Sequence, residues 1–286
     1  MCKKFIATIA LSGGLLLAAA SVQAKDPMAK TAPDDLLNAT LWTQSSVEYK
    51  ANAMAAYSLA KVMLDKALAD KSWTAASEQT GDFMGKPPAV VLDLDETVLD
   101  NSEYEAWIVE NKTHYSSKTW GPYVDAAISK PIPGSLDFIK YAAAKGVEIF
   151  YVSNRKAPNE AGTRKNLEKL GYPVNGKTDT VLLRGENDWG SKKSSRRAYV
   201  AKNYRILLLL GDNLGDFTDQ TGGSPADRMK VFQANQARWG TSWIMIANPM
   251  YGSWESAAFK GNWKLPSDER RKMKIDALSG WSGPAK

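Results

Sequence analysis

The sequence predicts an α/β protein: a parallel sheet flanked by helices on both faces, with a small ring-rich elaboration. Three observations lead there. Five short apolar runs are rich in β-branched residues or leucine, helical stretches separate them, and polar or acidic clusters stand at the ends of several runs. Runs of that length and composition suit strands buried on both faces. Their alternation with helices calls for parallel crossovers.

The chain opens MCKKFIATIALSGGLLLAAASVQAKD, with Lys3 and Lys4 ahead of an apolar stretch from Phe5 to Ala20 and then Val22-Gln23-Ala24. This three-part pattern is that of a secretory signal peptide over residues 1–24, cleaved after Ala24. Two glycines, a serine and a threonine leave its core short and weak for spanning about 30 Å of hydrocarbon. The single cysteine, Cys2, precedes the apolar region, so neither a lipid-attachment site at the cleavage point nor a disulfide is expected. Residues 25–286 suffice to bury an ordinary core without one.

From Asp34 to Lys71 there is no proline or glycine, and Val47, Met54, Tyr57, Leu64 and Leu68 recur at steps of three, four or seven. That spacing predicts one long helix or two joined helices, an N-terminal segment (25–80) packing on the core or on a cap. After the turn-forming linker GDFMGKPP comes the first strand, Ala89–Leu92. Further strands are predicted at Val147–Val152, Thr180–Leu183, Ile206–Leu210 and Ser242–Ala247. Helices are predicted at Ser135–Lys145, Glu160–Leu170, Lys193–Lys202 and Ala226–Trp239.

Residues 103–130 interrupt the alternation with Tyr104, Trp107, Tyr115, Trp120 and Tyr123. The rings form a lid or pocket wall, or simply pack the insertion onto the body. Residues 81–286 thus read as one domain with a cap insertion at about 103–130.

Composition removes several classes of function. Loss of Lys3 and Lys4 with the leader takes the formal charge from +6 to +4, an excess that attracts small anions but includes no basic run suited to a nucleic-acid groove. His114, the only histidine, stands in Lys-Thr-His-Tyr away from any predicted strand, which excludes phosphohistidine chemistry. There is no Gly-x-Ser-x-Gly elbow and no phosphate-binding P-loop.

In an open parallel sheet, ligands bind beyond the carboxyl ends of the strands. There the first strand ends in Asp93-Leu94-Asp95-Glu96-Thr97, the second in Ser153-Asn154-Arg155 and the fourth in Gly211-Asp212-Asn213-Leu214-Gly215-Asp216. Ser191-Lys192-Lys193-Ser194-Ser195-Arg196 opens the helix before the fourth strand. Carboxylates crowded on one edge repel unless positive charge is supplied, and Mg2+ is the hard cation such oxygens suit best. One carboxylate could then attack phosphorus while another carries the proton. Asp216 could instead merely cap the helix that follows.

These strings resemble the haloacid dehalogenase superfamily of phosphotransferases, whose first motif is DxDxT. Within it the chain is similar to the bacterial class C nonspecific acid phosphatases, the DDDD phosphohydrolase group, through LDLDETVLDNS, YVSNR, KSSR, GDNLGDF and NPMYGSWE in that order between about Ala89 and Glu255. The resemblance implies a Rossmannoid core with a small, mainly helical cap. The implied activity is Mg2+-dependent hydrolysis of phosphomonoesters through an aspartyl phosphate.

Residue by residue, the resemblance makes Asp93 the nucleophile and a metal ligand, and Asp95 the acid/base that also offers its backbone carbonyl to the metal. Asp212 is a further ligand, and Asp216 orients a water of the metal's shell or binds at longer range. Ser153 and the backbone of Asn154 hold phosphate oxygens, Asn154 and Arg155 are substrate-binding residues, and Lys193, or Lys192 in the alternative register, neutralises the phosphoryl group. Trp120 and Tyr251 match places that hold the base of a nucleoside monophosphate. The family also suggests a homodimer.

Family members are often lipoproteins. The position of Cys2 favours a soluble periplasmic or secreted form here. A phosphotransferase of the same superfamily and a non-catalytic nucleotide-binding envelope protein are the competing readings.

Overall fold

The computed structural model describes residues 35–174, 176–281 and 283; the expected signal peptide and its cleavage site lie outside them. No helix among the described residues is long and apolar enough to cross a membrane.

The N-terminal stretch forms two joined helices, α1 (Leu37–Ser45) and α2 (Val47–Ala69). Ser46 separates them in an extended conformation, and its side chain accepts the amide of Tyr49 as an N-cap. The buried stripe of α2 is Tyr49, Ala53, Tyr57, Ala60, Met63, Leu64 and Ala67. The helical period therefore holds, but Val47 and Met54 face outward, 74% and 57% exposed. Alanines on the inner face let the helix lie close to the sheet. Helix α2 packs on helix α5 (Ser135–Ala144) and on strands β6 (Arg205–Gly211) and β7 (Trp243–Met245), whereas α1 packs on α3 (Ser102–Glu110) of the cap.

Five parallel strands make the central sheet. To β6 and β7 are added β1 (Pro88–Leu92), β4 (Glu148–Lys156) and β5 (Val181–Arg184), in the spatial order β5-β4-β1-β6-β7. Alternation along β1 sends Val90 and Leu92 into the core under α2 and α5, and Ala89 and Val91 into a second core with Val200 and Ala201 of α7 (Ser194–Asn203). Both faces are thus covered by helices, as the unbroken apolar runs require.

Helix α6 (Glu160–Leu170) fills the crossover between β4 and β5. Helix α8 (Pro225–Ala234) ends five residues before the predicted Trp239; instead of continuing the helix, Trp239 packs edge-on against Trp243 and Phe217.

The cap comprises α3, α4 (Ser117–Ala126) and a two-stranded antiparallel ribbon of β2 (Leu99–Asp100) and β3 (Lys130–Pro131). Gly162 seats α6 against it: a Cβ there would stand 2.7 Å from the Asp125 Cα. Two short helices, α9 (Ser253–Ala257) and α10 (Ser267–Asp276), follow the last strand. The apolar pattern gave no sign of them.

The chain runs outward from β1 through β4 to β5, then returns to the other side of β1 for β6 and β7. Connections therefore diverge at β1 and β6, and the crevice beyond their carboxyl ends is the place for a ligand.

Candidate active site

Asp93 leaves the end of β1 with its amide donating to the Leu210 carbonyl of β6 (3.0 Å). This fixes the two strand ends together. Carboxylate oxygens of Asp93, Asp212 and Asp216 lie within 4.8 Å of one another. The Lys193 ammonium, 5% exposed, donates to Asp93 and, at 2.6 Å, to Asp216 Oδ1. Lys192 beside it is exposed.

Asp216 also accepts the Asn213 amide through Oδ2 (2.8 Å), closing a capping box on the 3-10 turn Leu214–Asp216. It is therefore a cap and a member of the acidic group at once. Such close approach needs Gly211, where a Cβ would stand 2.3 Å from Asp216 Oδ2.

Burial and repulsion set the electrostatics. Burial pushes the Asp93 carboxyl up to about 7, Lys193 opposes the shift, and Asp216 and Asp95 add to it. Asp212 is driven well above the carboxylate range by burial and by Asp216 and Asp93. For Lys193, burial disfavours the charged form, but Asp216 and Asp93 outweigh it and raise the ammonium above its ordinary value. One lysine among three carboxylates leaves negative charge to be matched by a cation.

The residues fit a divalent metal. The cluster is all oxygen, Asp212 is held from outside by Asn248 Nδ2 (2.8 Å), and the Asp95 carbonyl accepts no hydrogen bond among the described residues. Hard divalent cations favour this donor set. Buttressing of a ligand by an outer amide is usual at metal sites.

Asp95 points the other way. Its Oδ1 accepts from Arg155 Nε (2.9 Å) and Asn101 Nδ2 (3.0 Å) and lies 2.8 Å from Arg155 NH2 in an ion pair, and Oδ2 lies 3.4 Å from Ser153 Oγ. Its carboxylate is thus outside the acidic group. Arg155, 2% exposed, sits behind Asp95, its remaining donors on Thr163 Oγ1 and Asn101 Oδ1.

Ser153 is fully buried, and its Oγ accepts the Arg155 amide. Asn154 is exposed, with its Oδ1 held by Arg196 NH2 at 2.7 Å. Arg196 also donates to the Ser153 carbonyl.

Trp120 stands over Arg155, 5.6 Å from guanidinium carbon to ring centroid. It packs with Tyr104, Tyr115 and Tyr123, so the rings pack the cap as well as forming a wall. Tyr251 is half-buried on the loop after β7, and among the described residues its ring meets none of the cap rings. His114 is exposed between α3 and α4.

The model of the acid phosphatases of HAD superfamily subfamily IIIB matches residues 8–254. The chain belongs to that family. It is similar to the class C acid phosphatase from Bacillus anthracis, at 38% identity over 87% of this chain and 98% of that one, with a TM-score of 0.77. A structure of the Bacillus anthracis enzyme with tungstate bound matches at 39% identity over the same shares, TM-score 0.76. The protein is accordingly a phosphomonoesterase.

Membership gives meaning to residues that the reading of strand ends did not single out for a role. Asn101, Asn248 and Arg196 orient Asp95, Asp212 and the Ser153–Asn154 segment respectively. All three lie within the strings LDETVLDNS, NPMYGSWE and KSSR, so the signal was present as motif context.

Proposed function

We propose that this phosphatase is an exported, Mg2+-dependent acid phosphatase that hydrolyses phosphomonoesters, 5′-nucleotides among them, through a phospho-Asp93 intermediate. The observation that carries this reading is the convergence of Asp93, Asp212 and Asp216 around the Lys193 ammonium, with Asp95 turned to a separate pocket. Asp93, Asp212, Asp216 and the Asp95 carbonyl would hold Mg2+, which would supply charge compensation for the phosphoryl oxygens.

Asp93 attacks phosphorus, a new carboxylate–phosphorus bond forms, and the ester P–O bond breaks with its electrons on the leaving oxygen. Asp95 gives that oxygen a proton. Water then attacks the phospho-Asp93, its proton passes to Asp95, and phosphate leaves with the carboxylate restored. Lys193, Ser153 and the Asn154 backbone hold the transferring oxygens, and Trp120 and Tyr251 offer faces to a planar leaving group. Asp95 is an acid where superfamily members that retain their phosphoenzyme have none, which favours hydrolysis over pumping.

The test is phosphate release from a panel of aryl phosphates and nucleoside 5′-monophosphates, with and without EDTA and added Mg2+. Activity unchanged by chelation would refute the metal assignment. Detection of product only with an alcohol acceptor present would replace hydrolysis by transfer.

A further inference from the structure

Beyond the phosphate site, the same edge of the sheet carries two cations that the hydrolysis of a simple monoester does not use. Lys156 ends β4 and Arg184 ends β5, and the two are Cα partners in the strand pairing. Neither has a carboxylate within 4.0 Å among the described residues. Glu186, the carboxylate nearest to Arg184 in sequence, accepts the Leu183 amide through Oε2 (2.8 Å), and its buried Oε1 has no hydrogen-bond partner among the described residues.

Lys156 Nζ donates instead to Ser117 Oγ of the cap (3.0 Å). Arg184 is half-buried, and its charge reaches the Tyr115 phenol of the cap. Like charges at paired positions repel, and no ion pair among the described residues offsets them. A ligand with its own negative charge would.

The position of the pair says what that ligand is. Ser153, at the phosphate level, is paired with Leu183, and Lys156 and Arg184 lie just past that level on the same two strands, within about 10 Å at the usual strand rise. From Asp95 a path leads through Arg155 and the Trp120 ring to Tyr115, 6.1 Å from Trp120 and within reach of the Arg184 charge, two residues before the Ser117 that holds Lys156. A leaving group lying along Trp120 would bring its far end to Lys156 and Arg184.

We propose that Lys156 and Arg184 form a second anion subsite, and that the favoured substrates are phosphomonoesters whose leaving group carries a further phosphate, such as a bisphosphorylated sugar or nucleoside. The inference rests on the phosphomonoesterase reading and extends it. Guanidinium and ammonium donors would hold the distal phosphate through charge-assisted hydrogen bonds, while Asp93 receives the proximal one.

The experiment compares a nucleoside 5′-monophosphate with the corresponding 3′,5′-bisphosphate in the presence of Mg2+, resolving the products by chromatography so that 5′ release is measured alone. The wild-type protein is expected to favour the bisphosphate in kcat/KM by about tenfold, mainly through KM, and high salt should narrow the gap. In the double variant Lys156→Gln, Arg184→Gln the ratio should fall to near one, and Lys156→Arg with Arg184→Lys should restore it. Equal kcat/KM for the two substrates in the wild type, or an unchanged ratio in the double glutamine variant, would overturn the subsite. p-Nitrophenyl phosphate is assayed alongside. Its hydrolysis without a bisphosphate preference removes the subsite alone, whereas no hydrolysis of any substrate removes the underlying reading and the subsite with it.

Discussion

Asp93 and Asp95 are two residues apart, yet they inhabit different regions. Asp93 faces two more carboxylates and shares one lysine with Asp216, whereas Asp95 is met by a buried arginine and by an asparagine that also reaches Glu96. The intervening Leu94 is fully buried, and its carbonyl accepts the amides of Val98 and Leu99, closing the turn that directs the two carboxylates apart. The comparison teaches that one short motif serves two charge economies: a region short of positive charge that suits a metal, and a region already balanced that suits proton handling.

The largest test of this contrast is Asp93→Asn. It should lower kcat by on the order of 10⁴-fold or more with the circular dichroism spectrum unchanged; substantial remaining turnover would break the assignment. Asp95→Asn should lower turnover by about 10²–10⁴-fold yet still accept phosphate from a good leaving group, so intact-mass spectrometry should find the phosphoprotein. If both variants behave alike, the two regions are not functionally distinct.

A smaller effect sharpens the metal side. Asn248→Ala frees Asp212 and should weaken Mg2+ activation by about 10–100-fold, with kcat largely recovered at saturating metal. Arg155→Gln acts on the other region. It should move the pH profile of kcat while leaving the Mg2+ titration in place.

The last effect is on stability and lies in the cap. Burial, with Glu255 adding to it, raises Glu105 to about 7. Near pH 4 it is protonated in both folded and unfolded chains. As the pH climbs from the ordinary glutamate value through 7, the unfolded chain loses its proton first, and the fold loses stability on the order of 3 kcal/mol. Glu105→Gln should therefore raise the melting temperature at pH 8 and leave it nearly unchanged at pH 4.

The strands and most helices were legible because period and composition are local properties. The acidic edge was legible for the same reason, since strand ends fix where Asp93, Asp212 and Asp216 must go. What escaped depended on distant partners. The string NPMYGSWE marks Asn248 as part of a motif but does not say that it holds Asp212, 36 positions earlier, and Arg155 reads as a strand-end cation until its burial behind Asp95 is seen. Val47 and Met54 misled because apolar size was taken for burial, when small alanines were what let α2 approach the sheet. Helix α10 has too few apolar residues to register; ion pairs of Arg271 and Lys274 with Asp35 tie it down.

The Tyr57 hydroxyl of α2 donates to the Thr97 carbonyl, 40 positions later, and Arg205 at the start of β6 donates to the carbonyls of Ala67, Asp70 and Trp73 more than 130 positions back. During synthesis α2 leaves the ribosome long before β6 does. Its inner stripe meets α5 midway through the chain and is fully covered only when β6 and β7 have been made. A nascent chain halted before β6 would own both aspartates of the first motif without the Leu210 carbonyl that holds the Asp93 amide, and without Asp212 and Asp216.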